Sequence, residues 1–116
     1  MSKITTHILD TAGGCPAVGV RVILYRQMGE VGRTLDSPGE VEIARSTTNK
    51  DGRIMDWTAP GHGIYKIRFE TRGYFDGRGV TSFYPWVDIY FEVPAEGHYH
   101  VPLLISPYGY STYRGS

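Results

Sequence analysis

The 116-residue sequence has a single cysteine, Cys15, so no internal disulfide can staple the fold. A lone Cys without a spacing motif reads as a small packing residue and not as a nucleophile. Nowhere do about 18 apolar residues run together, which leaves no membrane-spanning helix. The opening MSKITTHILD has neither the basic n-region nor the apolar h-region of a signal peptide. The expectation is a soluble protein of the cytoplasm, or of the peroxisome if a targeting signal is missing from this chain. An excess of charge is lacking too: 12 Lys+Arg balance 12 Asp+Glu. A neutral chain has no electrostatic footprint for a phosphate backbone or an anionic bilayer, so neither nucleic acid nor membrane is an expected partner. There is no internal repeat, no helical pattern of full length and no catalytic motif of the G-x-S-x-G kind. The length suits one domain, residues 1–116, with one core.

What the sequence does contain is β-forming. Nine Tyr, four Phe and many Val, Ile and Thr are punctuated by fifteen Gly and seven Pro. Period-two alternation marks strands at Thr5–Asp10, Val18–Arg26, Val41–Thr48, Tyr65–Glu70, Pro85–Val93 and His98–Ile105. In VGVRVILYR, Val20, Val22 and Leu24 share a face opposite Arg21. YKIRFE sets Tyr65, Ile67 and Phe69 against Lys66, Arg68 and Glu70, a sheet with one wet face. The Gly-rich Gln27–Glu40 stretch reads as a surface loop or long hairpin tip, and NKDGR at Asn49–Arg53 as a tight turn whose Asp-Gly pair accepts positive φ. Arg53 leaves that turn at the start of a strand or extended segment. Thr71–Gly79 admits one short helix, weakened by Gly73 and Gly77. The architecture that fits is all-β: an antiparallel β-sandwich with at most one short helix.

Histidines carry the chemistry. In HYHVPLL, His98, His100, Pro102 and Leu104 share one face while Tyr99, Val101, Leu103 and Ile105 read as core. His100 therefore points away from the core among apolar neighbours, the setting of a cleft wall or an interface. His7 repeats the pattern: Thr5, His7 and Leu9 lie opposite Ile4, Thr6 and Ile8. Imidazole titrates near neutrality, so two such rings converging on one site suit hydrolysis. A neighbouring Arg53 keeps an imidazole neutral by repelling a second positive charge. The rival use of His7, His98 and His100 as zinc ligands has no spare Cys or clustered carboxylate to support it. His62, in a Pro-Gly-His-Gly turn, reads as a loop residue. The tail SPYGYSTYRGS holds three Tyr, more than solubility requires, and is expected to pack.

Together these segments resemble the 5-hydroxyisourate hydrolases, the enzymatic branch of the transthyretin-like family, over nearly the whole chain. The anchors are ITTHILDT (Ile4–Thr11), TNKDGR (Thr48–Arg53), YKIRFET, FYPWVDIYFEV and HYHVPLLISPYGYSTYRGS, with YRGS the most specific. The resemblance implies a transthyretin-like (prealbumin-like) sandwich. It implies a catalytic trio of His7, Arg53 and His100, and an active-site tail of Tyr113, Arg114, Gly115 and Ser116. The implied reaction is cofactor-free and metal-free hydrolysis of 5-hydroxyisourate to 2-oxo-4-hydroxy-4-carboxy-5-ureidoimidazoline in uric acid degradation. It also implies a homotetramer with active sites where two dimers meet, the face of His7, His100 and Leu104 forming the wall. The carrier transthyretin, which has Lys, Glu and Thr at the trio positions and lacks YRGS, marks the alternative of a small-ligand binding protein. Two departures stand out: Gln27–Glu40 is longer than usual in the family, and Thr71–Gly79 is richer in Gly than the family's short helix.

Overall fold

The computed structural model describes residues 1–28 and 39–116. Its elements run β1 (Ser2–Asp10), β2 (Cys15–Pro16), β3 (Arg21–Gln27), β4 (Glu40–Thr47), β5 (Arg53–Ala59), β6 (Gly63–Phe69), α1 (Thr71–Gly77), β7 (Val87–Val93), β8 (His98–Ser106) and β9 (Gly109–Thr112). They form two sheets. In one, β5 and β2 lie along the same edge of β1, with β8 on its other side and β9 beyond; the other has the order β4-β3-β6-β7. The alternating residues face each other between the sheets: Ile4, Ile8, Leu103 and Ile105 from the first meet Leu24, Tyr65, Ile67 and Phe69 from the second, all at 1% exposure or less. Each such side chain contributes roughly 1.5–3 kcal/mol by leaving water, so this layer is the main force holding the sheets together.

The architecture is the expected all-β sandwich with one short helix, and one of its ladders is not antiparallel. β1 and β8 run parallel over eight residue pairs, from Lys3↔His98 to Asp10↔Ile105. Parallel neighbours cannot be joined by a hairpin. Here the connection is the rest of the domain: the chain leaves β1, builds the second sheet, and returns as β8.

Strand limits shift for local reasons. β3 begins at Arg21 and not at Val18, because Gly19 takes a φ of 80° and breaks the extended run. β7 begins at Val87, beyond Pro85, which has no N–H to give a ladder. Gln27 closes β3 and Glu40 opens β4; the remainder of the expected surface loop, residues 29–38, lies outside the described residues. The segment after Arg53 is a full strand that alternation did not reveal, since Met55 and Asp56 are both exposed. The cause is a β-bulge. Ile4 pairs with Trp57 and Thr6 with Ile54, so Met55 and Asp56 together stand opposite Thr5.

α1 forms despite Gly73, Gly77, no side-chain N-cap and no acidic residue in its first turn. A short helix with poor propensity depends on tertiary contact. Thr71, Tyr74 and Phe75, at i, i+3 and i+4, are buried on one stripe. The Tyr74 hydroxyl donates to Asp10 Oδ2 at 2.8 Å, and Asp10 Oδ1 accepts from the Gly13 N–H at 2.9 Å. The tail packs as expected, β9 pairing antiparallel to β8 and the ladder resuming with a His100↔Gly115 bridge.

Candidate active site

The first sheet turns one face to the core and the other outward, and the outward face collects the basic groups. Parallel pairing puts Thr5 directly beside His100, and antiparallel pairing puts His7 directly opposite Arg53. Directly paired residues share a face, so His7, Arg53 and His100 come together across three neighbouring strands. All three are half-buried.

Arg53 owes its place to the turn before it. Asn49 Oδ1 accepts from the N–H groups of Asp51 (2.9 Å) and Arg53 (3.0 Å), and the Gly52 N–H donates to the Asn49 carbonyl at 2.9 Å. Gly52 has a φ of 74°, and a Cβ there would lie 2.5 Å from the Ile8 carbonyl oxygen. Only glycine suits both demands. The Ile8 N–H donates back to the Gly52 carbonyl at 2.8 Å, so the turn is pinned to β1 one residue from His7. Among the described residues no carboxylate comes within ion-pair distance of the Arg53 guanidinium.

The electrostatics follow. Burial holds the His7 imidazole below its ordinary pKa, and Arg53 pushes it further down, against weaker opposite pulls from the Asp51 backbone and carboxylate. His100 is lowered by burial first, then by Arg53, His7 and His98. Both rings are thereby kept neutral at physiological pH, each able to take a proton.

His98 and His100 each spend a ring nitrogen on one hydroxyl: Thr5 Oγ1 is hydrogen-bonded to His98 Nε2 at 2.8 Å and to His100 Nδ1 at 2.7 Å. With those nitrogens on a hydroxyl, the two rings do not converge on a common ion. Among the described residues no group of three or more His, Cys, Asp or Glu is placed to hold a metal. His62 lies in the β5–β6 connection, where its carbonyl accepts from Arg26 at 2.9 Å. Cys15 sits half-buried in β2.

The tail residues divide. The Gly115 N–H donates to the His100 carbonyl at 2.8 Å, and a Cβ on Gly115 would collide with His100 Cδ2. The imidazole rests against this glycine, so a side chain there must displace the ring. Arg114 turns away, its guanidinium carbon 4.8 Å from the centroid of Tyr99 on the opposite face of β8. It borders a cleft of about 310 Å³ that His100, Tyr113, Phe91 and Glu92 also line. Tyr113 and Ser116 are exposed. Of the seven residues expected at a site, then, His7, Arg53, His100 and Gly115 are brought together on the outward face, and Tyr113 and Arg114 share the cleft with His100. Thr5 is the participant that sequence reasoning left out. Its parity placed it on the right face, but nothing local showed that two rings from a strand far along the chain would close over it.

A two-sheet sandwich of transthyretin type, with two neutralised imidazoles and a guanidinium that has no carboxylate partner among the described residues on one outward face, defines the class. The chain belongs to the HIUase/Transthyretin family, whose model matches residues 4–115. It is 45% identical over 117 residues to a protein of Schizosaccharomyces pombe described as a probable 5-hydroxyisourate hydrolase, covering 97% of this chain and 90% of that protein. The structure of 5-hydroxyisourate hydrolase from Klebsiella pneumoniae superposes with a TM-score of 0.82 at 38% identity, covering all of both chains. Sea bream transthyretin in complex with thyroxine gives a TM-score of 0.83 at 29% identity, covering 97% of this chain and 93% of that one.

Proposed function

We propose that this chain is a 5-hydroxyisourate hydrolase of uric acid degradation, converting its substrate to 2-oxo-4-hydroxy-4-carboxy-5-ureidoimidazoline. The observation that carries the reading is the pair of adjacent rungs, His7↔Arg53 and Thr5↔His100, on one outward face. The relatives that bear this enzyme's name support it. Water attacks a ring carbonyl, one imidazole of the pair accepts the water proton, and the scissile C–N bond breaks as the ring nitrogen gains a proton. A neutral imidazole is the form that can act as base, which is what burial and Arg53 maintain. Arg53 binds the carbonyl-rich anion and stabilises the developing oxyanion with a planar fork of donors. No cofactor or metal is required, so dialysis against a strong chelator leaves the rate unchanged.

Gly115 gives the His100 ring its seat, and Tyr113, Arg114 and Ser116 complete the substrate's surroundings, Arg114 while stacked on Tyr99. The half-buried outward face becomes a closed site when copies of the chain meet across it in a homotetramer, with the active sites at the dimer–dimer interface. The decisive experiment adds fresh 5-hydroxyisourate and follows its ultraviolet absorbance. Decay faster than the spontaneous rate is expected; an unchanged rate together with tight binding of a small aromatic ligand overturns the enzyme in favour of a carrier. Light scattering is expected to report four chains, and removal of Tyr113–Ser116 to abolish turnover while the circular dichroism of the sandwich persists.

A further inference from the structure

Thr5 projects on the outward face, yet it is wholly buried, because the imidazoles of His98 and His100 close over it with their ring centroids 6.3 Å apart. Its hydroxyl is 2.8 Å from His98 Nε2 and 2.7 Å from His100 Nδ1. A hydroxyl has one hydrogen, so between two neutral rings it donates to one nitrogen and accepts from the other. The tautomers of His98 and His100 are therefore coupled: both rings carry their hydrogen on Nδ1, or both carry it on Nε2. Of the two arrangements, the one in which His100 Nδ1–H donates to Thr5 Oγ1 and Thr5 donates to His98 Nε2 leaves His100 Nε2 with a free lone pair.

Resting on the hydrolase reading, we propose that Thr5 and His98 are positioning residues that make His100 the general base and carry its proton along the chain His100–Thr5–His98. As the water oxygen bonds to the carbonyl carbon, its proton passes to His100 Nε2. The Nδ1 proton moves to Thr5 Oγ1 while the Thr5 hydrogen moves to His98 Nε2. His100 ends neutral with its hydrogen on Nε2, and the positive charge stands on His98, which is exposed to solvent. When the C–N bond breaks, the leaving nitrogen takes the Nε2 hydrogen and the two relay transfers through Thr5 reverse. The second proton of the water leaves as the new carboxylic acid ionises.

Charge placement is the reason for the relay. The groups that act on His100 are Arg53 from β5, His7 from β1 and His98 from its own strand. Among the described residues no carboxylate pairs with the His100 ring. An imidazolium held at His100 would face the Arg53 guanidinium in a partly dry site, whereas His98 is the more exposed of the two rings.

The test combines kinetics with ¹⁵N NMR of the histidine rings in the full chain. In the substrate-free wild type, His100 is expected to carry its hydrogen on Nδ1. Thr5→Val, which keeps the shape and loses the hydroxyl, is expected to mix the His100 tautomers and lower kcat about 10- to 100-fold with KM within about twofold, the range for a misdirected general base. Thr5→Ser is expected to recover most of the rate. His98→Gln, which accepts from Thr5 but cannot be protonated, is expected to keep the His100 tautomer yet lower kcat about tenfold. A folded Thr5→Val protein with wild-type kcat, or a wild-type His100 with its hydrogen on Nε2, overturns the proposal. Should Thr5→Val not fold, wild-type kcat in the exposed-site variant His98→Gln overturns the relay alone. A wild type without hydrolase activity is a different failure: it removes the reading on which the relay rests, and the ring tautomers still report whether the hydrogen-bonded chain exists.

Discussion

The two sheets turn opposite kinds of polar surface to the outside. On the outer face of β4-β3-β6-β7 the charges satisfy one another. Lys66 is buried, with its ammonium 2.8 Å from Glu40 and over the ring of Tyr25 at 4.5 Å. Arg68 grips Asp88 through two bonds of 2.8 Å while stacking on Trp86, and Arg45 holds Glu42 through two bonds of 2.7 Å. On the outer face of the sheet containing β1 and β8, Arg53 has no carboxylate among the described residues, and the nearby histidines are kept below their ordinary pKa. One face uses its charge up in holding the fold. The other leaves it uncommitted, which costs stability and is what a reaction needs.

Neutralising the uncommitted charge tests that contrast with the largest effect. Arg53→Met is expected to lower kcat/KM by at least about a hundredfold, the scale for losing an oxyanion-stabilising group, with an unchanged circular dichroism spectrum. Its pH profile carries the sign. Wild-type activity falls on the acid side as the histidine base becomes protonated, at a pH below the ordinary imidazole value. Without the guanidinium the histidine pKa rises, so this limb moves up toward neutrality. A limb that stays put means that Arg53 does not set the protonation of the pair.

Gly115→Ala probes how closely the active face is fitted. The added methyl would overlap the His100 ring, and shifting a catalytic group by about an ångström costs up to roughly 10²-fold, so a loss of about 10- to 100-fold in kcat is expected. Full activity would mean that the ring has room to move.

The other sheet should respond in stability and not in rate. Lys66→Met leaves Glu40 and Asp88 without their shared partner and is expected to cost about 1–2 kcal/mol in urea unfolding, discounted because both carboxylates are partly solvated. Turnover per folded molecule is expected to hold. Arg45→Ala, at an exposed pair, is expected to leave both the unfolding midpoint and turnover as they were. A large loss of turnover from Lys66→Met would erase the distinction between the faces.

Much of this was legible in the sequence where one strand alone determined the answer. HYHVPLL and YKIRFE alternate cleanly, so their core and outward residues follow from period two, and the structure buries Tyr99, Leu103, Tyr65 and Phe69 accordingly. What alternation cannot supply is which strand lies beside which. The parallel β1–β8 ladder, the Thr5 bridge between two histidines and the turn of Arg114 onto Tyr99 all depend on partners remote in the chain. β5 was hidden for a different reason, since its bulge breaks the period that reveals strands. The short helix stayed undecided because its propensity and its tertiary contacts point in opposite directions.

That bulge has a consequence for the arithmetic of the gene. In an unbroken β5, every second residue faces the core, so Trp57, Met55 and Arg53 would share one side. The structure buries Trp57 and Ile54 instead, three positions apart, and the extra residue is what turns Arg53 outward beside His7. Deleting either Met55 or Asp56, a loss of one codon, would remove the need for the bulge, with Ile54 and Trp57 still inside and Arg53 still outside, whereas ironing the bulge out at the present length forces a choice between keeping Trp57 inside and keeping the guanidinium outside. Every reacting side chain would still be encoded. Parity, as much as the identity of any one residue, holds such a site on its face, and the bulge is what reconciles that parity with the length of β5.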